Sequence, residues 1–113
     1  MATEAVHPAA LRQAQRIAVL NNAALVLSFN VKYKDKSGKD GLSSSSGNLM
    51  VSQTATIDMA KSAGIHEGAK MKPHVTAMAA GEQDGPEIEF APNELTAVYD
   101  VTGSAYSYKV ELI

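Results

Sequence analysis

The sequence predicts an all-β chain folded as a single antiparallel β-sandwich of about seven short strands. Three observations carry that expectation. In "LVLSFNVKY" (25–33), Leu25, Leu27, Phe29, Val31 and Tyr33 alternate with Val26, Ser28, Asn30 and Lys32. That is the period of a strand with one buried face. The C-terminal "YSYKVELI" (106–113) repeats the device, with Tyr106, Tyr108, Val110 and Leu112 on one face. Between them, turn signals recur at short intervals, and no long amphipathic helix pattern follows residue 20. Such spacing belongs to a sandwich or barrel rather than to α/β layers.

The chain has 113 residues, the length of one domain, which buries roughly two-thirds of its unfolded surface. Residues 1–15 are expected as a flexible segment or short helix, and 16–113 as the sandwich domain. Pro8 suits a first helical turn, and the Ala, Leu, Arg and Gln that follow favour helix to about residue 15. "RIAVL" (16–20) is the first strand candidate, and the paired Asn21 and Asn22 after it tolerate the backbone of a tight turn or bulge. The strand at 25–33 comes next. "NLMVS" (48–52) and "TATIDMA" (54–60) are weaker candidates. A single helical turn at "IDMAKSAG" (57–64) is expected with Asp58 as N-cap and Gly64 as its stop. "HVTAMAA" (74–80) follows Pro73, a suitable strand start. "EIEFA" (87–91) and "LTAVYDV" (95–101) each follow a Pro-containing turn. Met50, Met59 and Met78 fall on strand candidates and are expected as core filler.

Composition excludes several functions. With no Cys there is no disulfide framework and no thiol chemistry. Ten basic against twelve acidic residues give a net charge of −2, unlike a dedicated nucleic-acid binder. The longest apolar run, "AALVL" (23–27), is far below the ~20 residues of a membrane span. No basic n-region or long apolar h-region marks a Sec leader. A cytoplasmic protein or one exported without a leader is expected.

The segment "YKDKSGKDGLSSSSGN" (33–48) is the first place to seek a ligand. As a calcium loop it fails, because counting from Asp35 puts Lys39 at a ligand position and Asp40 where Gly is required. As a phosphate loop it lacks the first Gly and the Ser or Thr after Lys. It reads as a mobile connection or, since Ser, Gly and Asn offer adaptable hydrogen bonds, a recognition loop. Lys32, Lys34, Lys36 and Lys39 read as a solvated strand edge protected from pairing with other chains. The acidic "GEQDGPEIE" (81–89) reads as a solvated loop in preference to a cation site. His7, His66 and His74 lack the tight spacing of a zinc site. No Gly-x-Ser-x-Gly elbow is present.

These readings converge on a non-enzymatic binding module without metal or cofactor. Its loops at one sandwich end would contact a glycan, a lipid head group or a protein. Asp35, Ser37, Lys39 and Asp40 are the candidate contacts, with His66, Glu67 and Asp84 beside them. A self-associating protein and a membrane-active, pore-forming toxin component are the alternatives. The plan of "VLSFNV", a Ser/Gly loop and a closing "AVYDVTGSAYSYKVELI" hairpin is similar to that of small sandwich modules such as lectins, lipid-binding cytolysins and immunoglobulin-like adaptors. That likeness implies a fold and little about function.

Overall fold

A computed structural model describes residues 11–35, 37–62 and 65–113. Ten strands occupy them: β1 (Gln13–Ala14), β2 (Arg16–Ala23), β3 (Leu27–Lys34), β4 (Asp40–Leu42), β5 (Thr54–Asp58), β6 (Lys70–Ala77), β7 (Gly81–Asp84), β8 (Ile88–Phe90), β9 (Thr96–Gly103) and β10 (Tyr108–Leu112). One sheet runs β1-β8-β6-β3-β4, with β7 also on β6; the other runs β10-β9-β2-β5. Leu27, Phe29, Val31, Met71 and Val75 from the first sheet share one buried cluster with Ile17, Val19, Ala97, Tyr99 and Val101 from the second. Two sheets facing across such a core make the all-β, sandwich-like fold that the alternation predicts.

The sheets are mixed rather than purely antiparallel. β2 runs parallel to β9 along its whole length, and β1 runs parallel to β8. The short strands β4 and β7 form where only loops were expected. No helix forms over residues 11–15; the rest of the predicted helical segment lies outside the described residues. Ala14 and Gln15 are buried, and pairing of Gln13 and Ala14 with Glu89 and Phe90 overrides local helix propensity. The 3-10 turn at Met59–Lys61 does form, and the Asp58 carboxylate caps it by accepting from the Ala60 N–H at 3.0 Å.

Other local expectations fail for identifiable reasons. Asn21 and Asn22 do not turn the chain, because β2 continues to Ala23. Asn21 is buried and fully engaged: its amide donates to the Leu25 and Leu49 carbonyls, and its oxygen accepts from the Ala23 N–H. Pro73 lies inside β6, where that strand changes partner from β8 at Met71 to β7 at His74. A residue without an N–H fits such a gap. "NLMVS" is not a strand, and only Leu49 bridges to Leu27.

The serine run is not slack. Ser43 Oγ accepts from the Val31 N–H at 2.8 Å, and Ser46 Oγ accepts from the Phe29 N–H at 3.0 Å. The Ser43 and Ser46 N–H groups donate back to the Val31 and Phe29 carbonyls. The segment thus lines the edge of β3 beyond β4 and satisfies backbone groups that would otherwise be orphaned. Aromatic placement differs too. Tyr99 is fully buried, its hydroxyl donating to the Pro86 carbonyl at 2.6 Å, and burial pushes its phenol pKa up. Tyr106, expected inward, stands exposed in the β9–β10 turn.

Candidate functional site

The turns of the sandwich gather at two ends. The β3–β4 tip, the 65–69 turn and the 91–95 connection share one end. Within the tip, Asp35 organises its own loop. Its Oδ1 accepts from the Ser37 N–H at 2.9 Å, the Ser37 hydroxyl at 2.6 Å and the Lys39 N–H at 3.0 Å. The Ser37 hydroxyl and then the Lys39 N–H hold the Asp35 carboxyl below its ordinary pKa, with a small contribution from the charge of nearby His66. Lys39 is exposed, and Asp40 pairs with Lys34 at 3.6 Å. His66 and Glu67 are exposed in a turn whose Gly68 N–H donates to Phe90. Lys36 and Gly64 lie outside the described residues.

Asp84 belongs elsewhere, on the outer face of the larger sheet. The β3–β6 register sets Lys32 opposite Lys72 and Lys34 opposite Lys70. Side chains two apart share a face, so the four lysines form one block. Asp84 accepts from His74 Nδ1 at 2.6 Å and pairs with Lys32 at 3.5 Å and Lys72 at 3.4 Å. Partial burial opposes ionisation of Asp84, but His74 and the two lysines outweigh it and hold its pKa low. His74 Nε2 also meets Glu82 at 2.8 Å. An open cleft of about 850 Å³ lies beside the block, lined by the four lysines with Asp40 and Glu87. Among the described residues, no group of three or more His, Cys, Asp or Glu is placed to hold a metal ion.

The opposite end carries Met50, Met78 and Tyr106, which the sequence pattern assigns to the core. Four segments meet there: 24–26, 48–53, 78–80 and 104–107. Backbone bonds tie them together: Met78 N–H to the Val26 carbonyl, Leu27 N–H to Leu49, Ala24 N–H to Gly103 and Ser52 N–H to Asn21. None of the four contains a charged residue. Met50, Val51, Met78 and Tyr106 stand 52, 58, 61 and 83% exposed there. Ser52 and Ala79, next to Val51 and Met78, adopt left-handed backbone with φ of 72° and 66°. That conformation costs an L-residue roughly 1–2 kcal/mol; Glu94 at the other end adopts it as well, with φ of 62°. Met50 and Met78 are therefore not core filler, whereas Met59 is. The signal in sequence is four uncharged segments, but their convergence depends on a topology that no local pattern states.

No family model and no curated protein matches this sequence. Among solved structures, listeriolysin O is 10% identical with a TM-score of 0.50, covering 87% of this chain and 22% of that one. The chain thus spans about a fifth of listeriolysin O. A non-hemolytic pneumolysin from Streptococcus pneumoniae strain ST306 is 16% identical, TM-score 0.47, covering 87% of this chain and 23% of that chain. The membrane-binding domain of pneumolysin is 16% identical, TM-score 0.46, covering 87% of this chain and 94% of that domain. The likeness to listeriolysin O is one of fold; the two lower scores add nothing to it.

Proposed function

We propose that this chain is a non-enzymatic binding module that docks on a lipid surface through its uncharged end. The observation that carries the reading is that Met50, Val51, Met78 and Tyr106 stand exposed on three uncharged segments at one end of the sandwich. Large apolar side chains gathered in the exposed turns of one end point to an interaction site. Burying a side chain of Met or Val size contributes about 1.5–3 kcal/mol. A few such side chains give reversible attachment, and no charge has to be stripped of water as they enter. Tyr106 suits the head-group level, where an aromatic ring meets apolar chains and its hydroxyl stays wet. The strands keep their ladder bonds outside the hydrocarbon, so only loop tips enter it. Among the described residues, no helix is long and apolar enough to cross a membrane.

The test is co-sedimentation with phosphatidylcholine vesicles, comparing the native chain with a Met50→Asp, Met78→Asp double variant. The native chain should pellet with vesicles and the variant should stay in the supernatant, with unchanged melting temperatures. Equal binding by both would overturn the assignment of this end. Absence of vesicle binding, together with a dimer that dissociates in the variant, would make a second copy the occupant instead.

A further inference from the structure

The four-lysine block on the larger sheet calls for an explanation of its own. Like charges directly opposite across a strand pair are destabilising, and here two such pairs stack, Lys32 with Lys72 and Lys34 with Lys70. Protection of a sheet edge does not account for them, because β3 is an interior strand between β6 and β4. Carboxylates relieve only part of the repulsion. Asp84 serves Lys32 and Lys72 together, and Asp40 serves Lys34. Lys70 makes no ion pair among the described residues; Glu89 is its register neighbour on β8. With Asp84, which pairs with Lys32 and Lys72, the four lysines of the cleft meet three carboxylates, Asp40, Glu87 and Asp84, an excess of one positive charge.

We propose that this cleft is a binding site for a phosphate or sulfate group, with Lys34 and Lys70 as its principal contacts. The block has the right scale. Opposed side chains across an antiparallel pair start about 5 Å apart, and neighbours along a strand about 7 Å apart. A tetrahedral oxyanion in that footprint meets several ammonium groups at once. Each Lys offers three donors on a flexible stem, which suits an anion with several acceptor oxygens. Asp84 holds Lys32 and Lys72 at the inner side of the block through ion pairs of 3.5 and 3.4 Å. It thereby leaves the pair nearer the β3–β4 tip to bind. Among the described residues, the ion-pair partner that Lys34 has to give up is one exposed carboxylate, Asp40 at 3.6 Å.

The oxyanion has two possible carriers, a soluble molecule or a lipid head group. The cleft lies on a sheet face toward the end opposite Met50 and Met78. A chain docked by its uncharged end holds the cleft away from the bilayer, so a soluble phosphate or sulfate ester is the occupant. The choice of a soluble carrier rests on the lipid-docking reading; the anion site itself does not, and the two fail separately.

Calorimetric titration of inositol hexakisphosphate and of inorganic phosphate into the full chain at about 0.1 M salt tests the site. The hexakisphosphate should bind, weakening as salt rises. A Lys34→Gln, Lys70→Gln double variant should bind roughly tenfold or more weakly, with its melting temperature held or raised because repulsion is relieved. The Met50→Asp, Met78→Asp variant should bind it normally. No binding by the native chain, or equal binding by the lysine variant, would overturn the proposal. Lysine-dependent binding to phosphatidic-acid vesicles without binding of the soluble ester would overturn the soluble carrier.

Discussion

The two ends of the sandwich are built on the same strands and have opposite surfaces. β2, β3, β6 and β9 each run eight residues, about 26 Å of extended chain, so neither end touches the other. One end carries Asp35, Lys39, His66, Glu67 and Glu94 in its turns; among the described residues, the four segments at the other carry no charge. At the charged end, Asp35 spends its carboxylate on its own loop, so a residue that looks like a ligand in the sequence is a turn-former in the structure. At the uncharged end, Ser52 and Ala79 hold left-handed backbone beside exposed Val51 and Met78. Polar residues there serve the fold, while apolar residues here are held out of the core. The two ends thus differ in how their side chains are engaged: Asp35 is held by its own loop, whereas Met50, Val51, Met78 and Tyr106 stand exposed.

Substituting the edge support that runs between the ends should break the contrast most severely. Ser43→Ala removes the acceptor of the buried Val31 N–H, and an orphaned buried donor costs about 1–3 kcal/mol. The Met50 loop keeps its own backbone bonds to β3 between Leu49 and Leu27, so the loss should centre on Val31. Urea unfolding should show the drop in stability, and amide exchange should rise at Leu27–Val31 before it rises in the 35–39 turn. A midpoint equal to that of the native chain would show that the Ser run is dispensable.

The strand framework was legible because alternation is local. Leu27, Phe29 and Val31 announce a buried face, and Asp58 before Met59 announces a cap. The two ends were not legible, because long-range pairing creates them. The parallel β2–β9 register joins Ala23 to Gly103, which brings the Tyr106 turn beside the 24–26 segment. Neither segment records that meeting. Lys32 and Lys34 were misread for the same reason: the number of neighbours a strand has is a property of the sheet. Asp84 was picked out as a site residue, but its partners Lys32, Lys72 and His74 come from two other strands. The site residues proposed for the β3–β4 tip do gather at one end, Asp35 near His66, while Asp84 lies on the sheet face.

Acid should separate the ends without mutation. Asp35, Asp58 and Asp84 all have pKa values below the ordinary 3.8. For Asp58, burial opposes ionisation, but the Gln15 hydrogen bond, the Ala60 N–H and Arg16 outweigh it. A depressed folded-state pKa stabilises above the unfolded value and loses that stabilisation as pH falls through the folded value. Stability should therefore stay level with respect to these groups from pH 7 to about 5 and decline below about 4. Asp35 and Asp58 lie at the charged end and Asp84 on the sheet face; none lies at the uncharged end. Amide shifts recorded by NMR down to about pH 2 should move around Asp35 and Asp58 below about pH 4 and should move little at Ser104–Ser107. Earlier movement at Ser104–Ser107 would contradict the assignment of the acid-sensitive groups.

The smallest effect should come from Ala79, and it sharpens the contrast most finely. Its φ of 66° places an L-residue in the left-handed region. Glycine adopts that backbone without steric cost but loses more entropy on folding. Removing about 1–2 kcal/mol of strain and adding about 0.5–1 kcal/mol of entropy leaves Ala79→Gly slightly more stable, by at most about 1.5 kcal/mol. Strain that serves a surface is kept despite such a gain, because a looser turn lets Met78 fold back toward the sandwich. The variant should thus unfold at higher urea and bind vesicles more weakly. Higher stability with unchanged vesicle binding would mean that the strained turn does not hold Met78 outward, and that side-chain polarity alone distinguishes the two ends.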